Sequence, residues 1–270
     1  MFAAERRQLI LELVRDQGAV AVRELTASVR ASEVTVRRDL RYLESVGLLS
    51  RRHGGAVATG PSGTAYEPTY AEKTKQAAEE KAAIAAAAVE LVSDGDAVAL
   101  GAGTTTQALA RRLAGFSELT VVTNSLLVAQ VLARYRHIEV VLAGGALRGS
   151  ILATVGPSAE QMLAAMRVTT AFISGNGLTA ARGLSTPNMS VASMDRALVG
   201  TADRVAVLAD HTKIGTDSVV RTVPGDQIDH LYTDAAADPG ELARFRELGV
   251  RVHLARAAGP PAGEPAPHPG

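Results

Sequence analysis

Cysteine is absent from the 270 residues, and so is tryptophan. Without thiols there is no disulfide framework, no cysteine-zinc site and no thiol nucleophile, which is the usage of a reducing compartment. Aromatic residues make up only 3%, so the apolar share of 47% is carried mostly by Ala, Val and Leu. No stretch approaches the roughly 18 uncharged apolar residues of a membrane span. The N-terminal MFAAERRQLILELVRDQG carries charges where a signal peptide has an apolar centre. These absences predict a cytoplasmic protein that makes no membrane contact. Net charge is also lacking, with 28 basic and 28 acidic residues, yet the charged share of 21% is that of an ordinary globular chain. The length predicts two domains, each able to bury a core.

The neutral total hides an asymmetry. Residues 1–58 hold ten arginines and no lysine against seven acidic residues, whereas residues 59–270 hold eighteen basic against twenty-one acidic. A basic excess confined to one end fits a small nucleic-acid-binding module.

Apolar spacing predicts three helices in that module, over 5–16, 22–29 and 33–45, with Ser32 as a cap for the third. "LLSRR" (48–52) reads as a strand and "HGG" (53–55) as a turn into "AVA" (56–58). The segment 58–72, opening "ATGPSGTA", has a linker's composition. Beyond it, 73–92 reads as one Ala-rich helix. Short β-type runs then alternate with helices at 97–100, 119–124, 138–145, 168–175, 205–210 and 230–234. A helix near 240–248 and a last run, "VRVHLA" (250–255), follow. This alternation predicts a mostly parallel α/β sheet covered on both faces. The expected domains are therefore 1–57, a winged helix-turn-helix, and 73–256, an α/β domain, with 257–270 a disordered Pro/Gly/Ala tail.

In the third helix Val36, Leu40 and Leu43 fall on one face and must point to a core. Thr35 at the N-terminal edge, Arg37 on a flank, and Arg38 and Arg41 then face outward. Arg pairs bidentately with guanine or grips phosphate, and Thr reaches a thymine methyl. Arg51, Arg52 and His53 lie on a hairpin whose Gly54 and Gly55 permit the turn and close approach to a phosphate. A solvated helix beside an unrelated basic turn is the alternative. The conjunction of three helices, a cap and a basic hairpin favours double-stranded DNA as the partner.

In the second domain "GAGTTT" (101–106) follows a β-run and opens a helix. Gly101 and Gly103 let the backbone bend while Thr104, Thr105 and free N–H groups face outward. Taken alone it is a structural turn or an anion site. "TNS", with Asn124 and Ser125, and "AGG", with Gly144 and Gly145, also end apolar runs, where open α/β sheets collect ligands.

Residues 32–57, "SEVTVRRDLRYLESVGLLSRRHGGAV", resemble the DNA-binding signature of the DeoR family of bacterial transcription regulators. "EKAAIAAAAVELVSDGDAVALGAGTTT", "LTVVTNS", "VVLAGGALR", "VGPSAEQ", "GLSTPN" and "LADHTKIG" resemble that family's sensor domain in order and spacing. The resemblance implies a sensor of ribose-5-phosphate isomerase and CoA-transferase type that binds a phosphorylated sugar or related metabolite. Its phosphate site falls on Gly103, Thr104 and Thr105, with Asn124 and Ser125 beside it, Gly144 and Gly145 at the next strand end, and Lys213 as cation. A solvated loop lysine is the alternative for Lys213. Many members have Asp where Gly101 and Asn176 stand, and Lys where Asp195 stands. Each change alters the charge of the expected site, which argues against catalysis and for a less anionic effector.

The six histidines have no paired ligand spacing, so no metal or cofactor is expected, and no serine has the partner of a hydrolase triad. The overall expectation is a regulator, a repressor of a carbohydrate operon, working as a dimer or tetramer. Its rivals are a sugar-phosphate isomerase or acyl-transferase-like enzyme with a DNA-binding appendage, and a protein-interaction module.

Overall fold

The computed structural model describes residues 3–17, 19–45, 48–52, 54–57 and 67–255. His53, the Arg52 side chain, linker residues 58–66 and the 257–270 tail lie outside the described residues. Contacts divide the chain into two compact units, Met1–Tyr66 and Glu67–Gly270.

The first unit opens with α1 (Ala3–Gln17), whose Ile10, Leu11 and Val14 are buried. A strand that the sequence reading did not foresee, β1 (Ala19–Ala21), leads into α2 (Val22–Val29). Arg30, in the left-handed region at φ 49°, closes α2 and turns the chain. α3 (Glu33–Ser45) begins at Ser32, whose Oγ accepts the Thr35 amide at 3.3 Å, as a cap should. Val22, Leu25, Val29, Val36, Leu40, Leu43 and Leu49 join the α1 residues in one core. Burial of each such side chain is worth about 1.5–3 kcal/mol relative to exposure. β2 (Ser50–Arg52) and β3 (Gly55–Val57) form the expected hairpin, and β1 pairs with β3 on the far side, giving the order β1-β3-β2.

The second unit opens with two helices where the sequence predicts one. α4 (Tyr70–Lys75) ends at Gln76, Ala77 adopts φ 50°, and α5 (Ala78–Ala88) restarts. Lys81 explains the break: its Nζ donates to the carbonyls of Lys73 at 2.6 Å and Gln76 at 2.5 Å, groups that a continuous helix would satisfy internally. Thr69 and Glu72 form a capping box at the start of α4.

The remaining elements are β4 (Ala97–Leu100), α6 (Thr104–Leu113), β5 (Leu119–Thr123), α7 (Leu126–Leu132), β6 (Ile138–Leu142), β7 (Ala146–Arg148), β8 (Ala153–Val155), α8 (Pro157–Ala164), β9 (Val168–Ile173), β10 (Gly177–Thr179), β11 (Gly183–Thr186), α9 (Met189–Gly200), β12 (Ala202–Leu208), β13 (Val220–Val223), β14 (His230–Asp234), α10 (Pro239–Glu247) and β15 (Arg251–Ala255). Seven strands form one parallel sheet in the order β15-β14-β12-β9-β4-β5-β6. These are the seven apolar runs of the sequence. Separate apolar clusters, one around Leu100 and Phe172 and another around Ala99, Ala171 and Leu198, contain alternate residues of the same strands and cover the two faces. From β4 the chain steps outward through β5 and β6, then returns to place β9 on the other side of β4. The order therefore reverses between β4 and β9, and such a reversal opens a crevice at the strands' carboxyl ends.

Candidate functional site

In the first unit, α3 buries Val36, Asp39, Leu40 and Leu43. Ser32, Val34, Arg37, Arg38, Arg41, Tyr42 and Ser45 are exposed, and Thr35 is half-buried. Arg38 has no hydrogen-bond or ion-pair partner among the described residues. Arg37 is held by Glu33 at 2.6 Å. Arg51, on the wing, donates through both its amide and its guanidinium to Glu44 of α3, which ties the hairpin to the helix. Those hydrogen bonds hold the Glu44 carboxyl below its usual range.

The wing glycines have different reasons. Gly54 sits at φ 86°, a turn position. A Cβ on Gly55 would lie 2.5 Å from the Val20 carbonyl oxygen, so the close passage of β1 by itself requires a glycine here. β1 thus gives this glycine a structural reason beside the phosphate approach expected from the sequence.

Asp39 was not foreseen. It is fully buried, with Arg6 Nε at 2.6 Å and Arg7 Nε at 2.8 Å. Burial acts to raise its pKa, but the hydrogen bonds and charges of the two guanidiniums outweigh that and hold the carboxyl below its usual range.

In the second unit a cavity lies at the β4/β9 reversal. It is lined by Ala102–Thr105 at the N-terminus of α6 and by Ser174–Asn176 after β9, with Thr186, Val191 and Asp195 on one side. Glu67, Lys73, Lys81, Asp210 and Lys213 supply its charges. The chain has only four lysines, against twenty-four arginines, and three of the four line this cavity. A lysine ammonium is a compact point charge where a guanidinium is a wide planar fork. Gly103, the residue before α6, gives that helix no side-chain cap, so its first amides are available to a ligand.

The charged groups differ in their commitments. Glu67 binds Arg148 and Ser150, and Asp210 accepts from the Thr212 amide at 3.1 Å and lies 3.9 Å from Lys81 Nζ. Lys213 Nζ reaches Gln76 Oε1 at 3.3 Å. Lys73 and Asp195 have no such partner among the described residues. Burial brings Lys73 down to about 8 and, acting on the opposite charge, raises Asp195 to about 7.

Of the residues expected from the sequence, Gly103, Thr104, Thr105 and Lys213 meet at this cavity. Gly101 is buried behind it, its amide bonded to the Phe172 carbonyl. Asn124 and Ser125 stand at the end of β5 in other roles: Asn124 Nδ2 donates to the Thr154 carbonyl, and Ser125 caps α7 through the Val128 amide. Gly144 is exposed, and Gly145, at φ 130°, lets the backbone pass Val155. His211 is bound to Asp234 through ring and backbone. Lys73 and Lys81 were not foreseen; their signal was the rarity of lysine and the single buried lysine in an alanine run.

Among the described residues no helix is long and apolar enough to cross a membrane, and no cluster of three metal-ligating side chains occurs.

Both units match known protein families. Residues 6–61 match the DeoR-like helix-turn-helix domain and residues 76–235 the DeoR C-terminal sensor domain. The HTH-type transcriptional regulator GlpR of Haloferax volcanii is 38% identical over 93% of this chain and 98% of its own length. The glycerol-3-phosphate regulon repressor of Escherichia coli K12 is 32% identical over 94% of this chain and 100% of its own. The putative aga operon transcriptional repressor of Escherichia coli O157:H7 is 32% identical over 93% of each. Among solved structures, ribose 5-phosphate isomerase A of Methanocaldococcus jannaschii aligns with a TM-score of 0.39 at 19% identity, over 52% of this chain and 55% of that one. With both its halves matched in order, the chain belongs to the DeoR family of DNA-binding, helix-turn-helix transcriptional regulators, which pair the DNA-binding unit with a sensor domain.

Proposed function

We propose that the protein represses a carbohydrate-metabolism operon and that a small phosphorylated metabolite, bound in the β4/β9 cavity, controls its hold on the operator. One observation carries the ligand reading: three of four lysines line the cavity that the uncapped N-terminus of α6 also lines, at the sheet's reversal point. That a similar protein is named a glycerol-3-phosphate regulon repressor supports it. Gly103, Thr104 and Thr105 offer amides and hydroxyls to the anion, and Lys73 and Lys213 offer charge.

On the DNA side Ser32, Thr35, Arg37, Arg38 and Arg41 face the major groove. Arg51, Arg52, His53, Gly54 and Gly55 form the wing against the backbone. One such module reads few bases, so a dimer or tetramer spanning paired half-sites supplies the specificity. A protein that must reach the chromosome works in the cytoplasm. It binds its metabolite without converting it.

The test is genomic footprinting with purified protein, followed by release from the recovered operator with phosphorylated sugars. The reading expects salt-sensitive, sequence-specific binding and release by at least one such compound, with Thr104→Ala blunting release and leaving DNA binding intact. Binding without any sequence preference, or turnover of the sugar that is lost in Lys73→Met, would overturn it.

A further inference from the structure

The cavity holds three carboxyl groups, and two of them are already engaged: Glu67 by Arg148 and Ser150, Asp210 by Thr212 and Lys81. Asp195 is the third. It lines the cavity from α9, is 5% exposed, and has no hydrogen-bond or ion-pair partner among the described residues. A buried carboxylate left in this state is costly unless something meets it.

Two charges act on it, Lys73 across the cavity and Arg196 on its own helix, and both favour ionisation. Burial outweighs them. Other elements packed against α9 bring Glu160 on α8, Asp203 and Arg204 on β12 and Arg221 on β13, none of which shifts it. β4, β8, β9 and β11 carry no ionisable side chain.

The charges of the site then limit what enters. With Asp195 ionised, Lys73, Lys81 and Lys213 balance Glu67, Asp195 and Asp210, and Arg148 on Glu67 adds one positive charge. A singly charged anion would leave the site neutral. A doubly charged one would leave it negative, unless a carboxylate takes up a proton, and Asp195 is the one without a competing partner.

We propose that Asp195 binds the effector as a neutral acid, donating its proton in a hydrogen bond to a doubly charged oxyanion, so that effector binding takes up a proton. The inference rests on the anion-site reading above and deepens it: the ligand class is the dianionic phosphate monoester, in place of the less anionic effector expected from the charge at position 195, because a protonated Asp195 no longer repels a dianion. Asp195 tunes the site to acidity, since a dianion raises its pKa further. Affinity then falls by up to tenfold per pH unit above about 7, where the free protein has lost this proton. Lys73, losing its own proton near 8, steepens the fall only at the upper end.

Sulfate tests this, because it stays doubly charged throughout the range. Calorimetric titration of the full-length protein with sodium sulfate at pH 7, in two buffers of different ionisation heat, counts the protons. The wild type is expected to take up more protons per sulfate than Asp195→Asn, in which only Lys73 is left to contribute. Asp195→Asn, permanently neutral, binds sulfate at pH 8 at least as tightly as the wild type. Equal uptake in both proteins overturns the proposal, and so does a folded Asp195→Asn that binds sulfate more weakly at pH 8. If the variant does not fold, the wild type alone decides: affinity that is flat between pH 6.5 and 8 overturns it. A wild type that binds no sulfate overturns the anion-site reading instead.

Discussion

The Nε of Arg6 lies 2.6 Å from Oδ2 of Asp39, joining α1 to a fully buried carboxylate of α3 across 33 residues of sequence. Arg7 takes the other oxygen and lays its guanidinium 3.8 Å over the Tyr42 ring, so two successive arginines fix the angle at which α3 is presented. Asp39→Asn should cost the unit about 1.5–3 kcal/mol, the worth of a charged hydrogen bond. Urea unfolding of the full chain measures it. The acid limb carries the same signature. Because the folded pKa is lowered, the stabilisation is complete above the unfolded value of about 3.8 and is lost as pH falls below it. An acid limb unchanged by Asp39→Asn would show that the arginines do not need the carboxylate.

Arg38 is the exposed guanidinium of α3 with no partner to give up among the described residues, whereas Arg37 must first leave Glu33. Arg38→Ala should therefore cost about 1–3 kcal/mol of operator affinity and relax the preference at one base position. Arg37→Ala should weaken binding less and change no preference. Selection from a random duplex library, done for both variants, reads the difference. Equal losses with unchanged logos would move base reading away from Arg38.

Gly55→Ala would put a Cβ 2.5 Å from the Val20 carbonyl oxygen, a backbone atom that cannot step aside without unpairing β1 from β3. The expected cost is about 1–3 kcal/mol, as for other overpacked sites, visible as a lower melting temperature. A variant with unchanged melting temperature and weakened DNA binding would instead return this glycine to the phosphate role that the sequence reading gave it.

How much of this was legible follows from which interactions are local. All seven strands of the parallel sheet were readable, β4, β5, β9 and β12 as the apolar runs of strands buried on both faces, and β14 and the half-exposed edge strands β6 and β15 as β-type runs between helices. So was the inward face of α3, whose Val36, Leu40 and Leu43 keep helical spacing. β1, β7, β8, β10, β11 and β13, three or four residues each, were not, since their pairing partners rather than their own pattern define them. The 73–92 helix failed for a similar reason: Lys81 breaks it through carbonyls five and eight residues earlier, a contact that alanine-rich helix propensity conceals. Asn124, Ser125, Gly144 and Gly145 were found at strand ends as expected, but the reversal between β4 and β9, which selects among strand ends, exists only in the sheet order.

Lys73 offers the cleanest separation of binding from folding. Its ammonium has no hydrogen-bond partner among the described residues, and burial lowers its pKa to about 8. A lysine whose folded pKa is depressed is destabilising while charged, so the fold loses nothing when the charge goes. Lys73→Met should therefore keep or raise the melting temperature at pH 7 and cut affinity for inorganic phosphate about tenfold, the worth of a charge-assisted contact. Lys81→Met makes the contrast. Its Nζ closes the α4–α5 joint through two carbonyls, so its loss should lower the melting temperature even with no anion present. Thermal melts with and without phosphate distinguish the two variants. If Lys73→Met melts lower and binds phosphate as before, Lys73 is a structural group and the anion site must be sought elsewhere along the sheet.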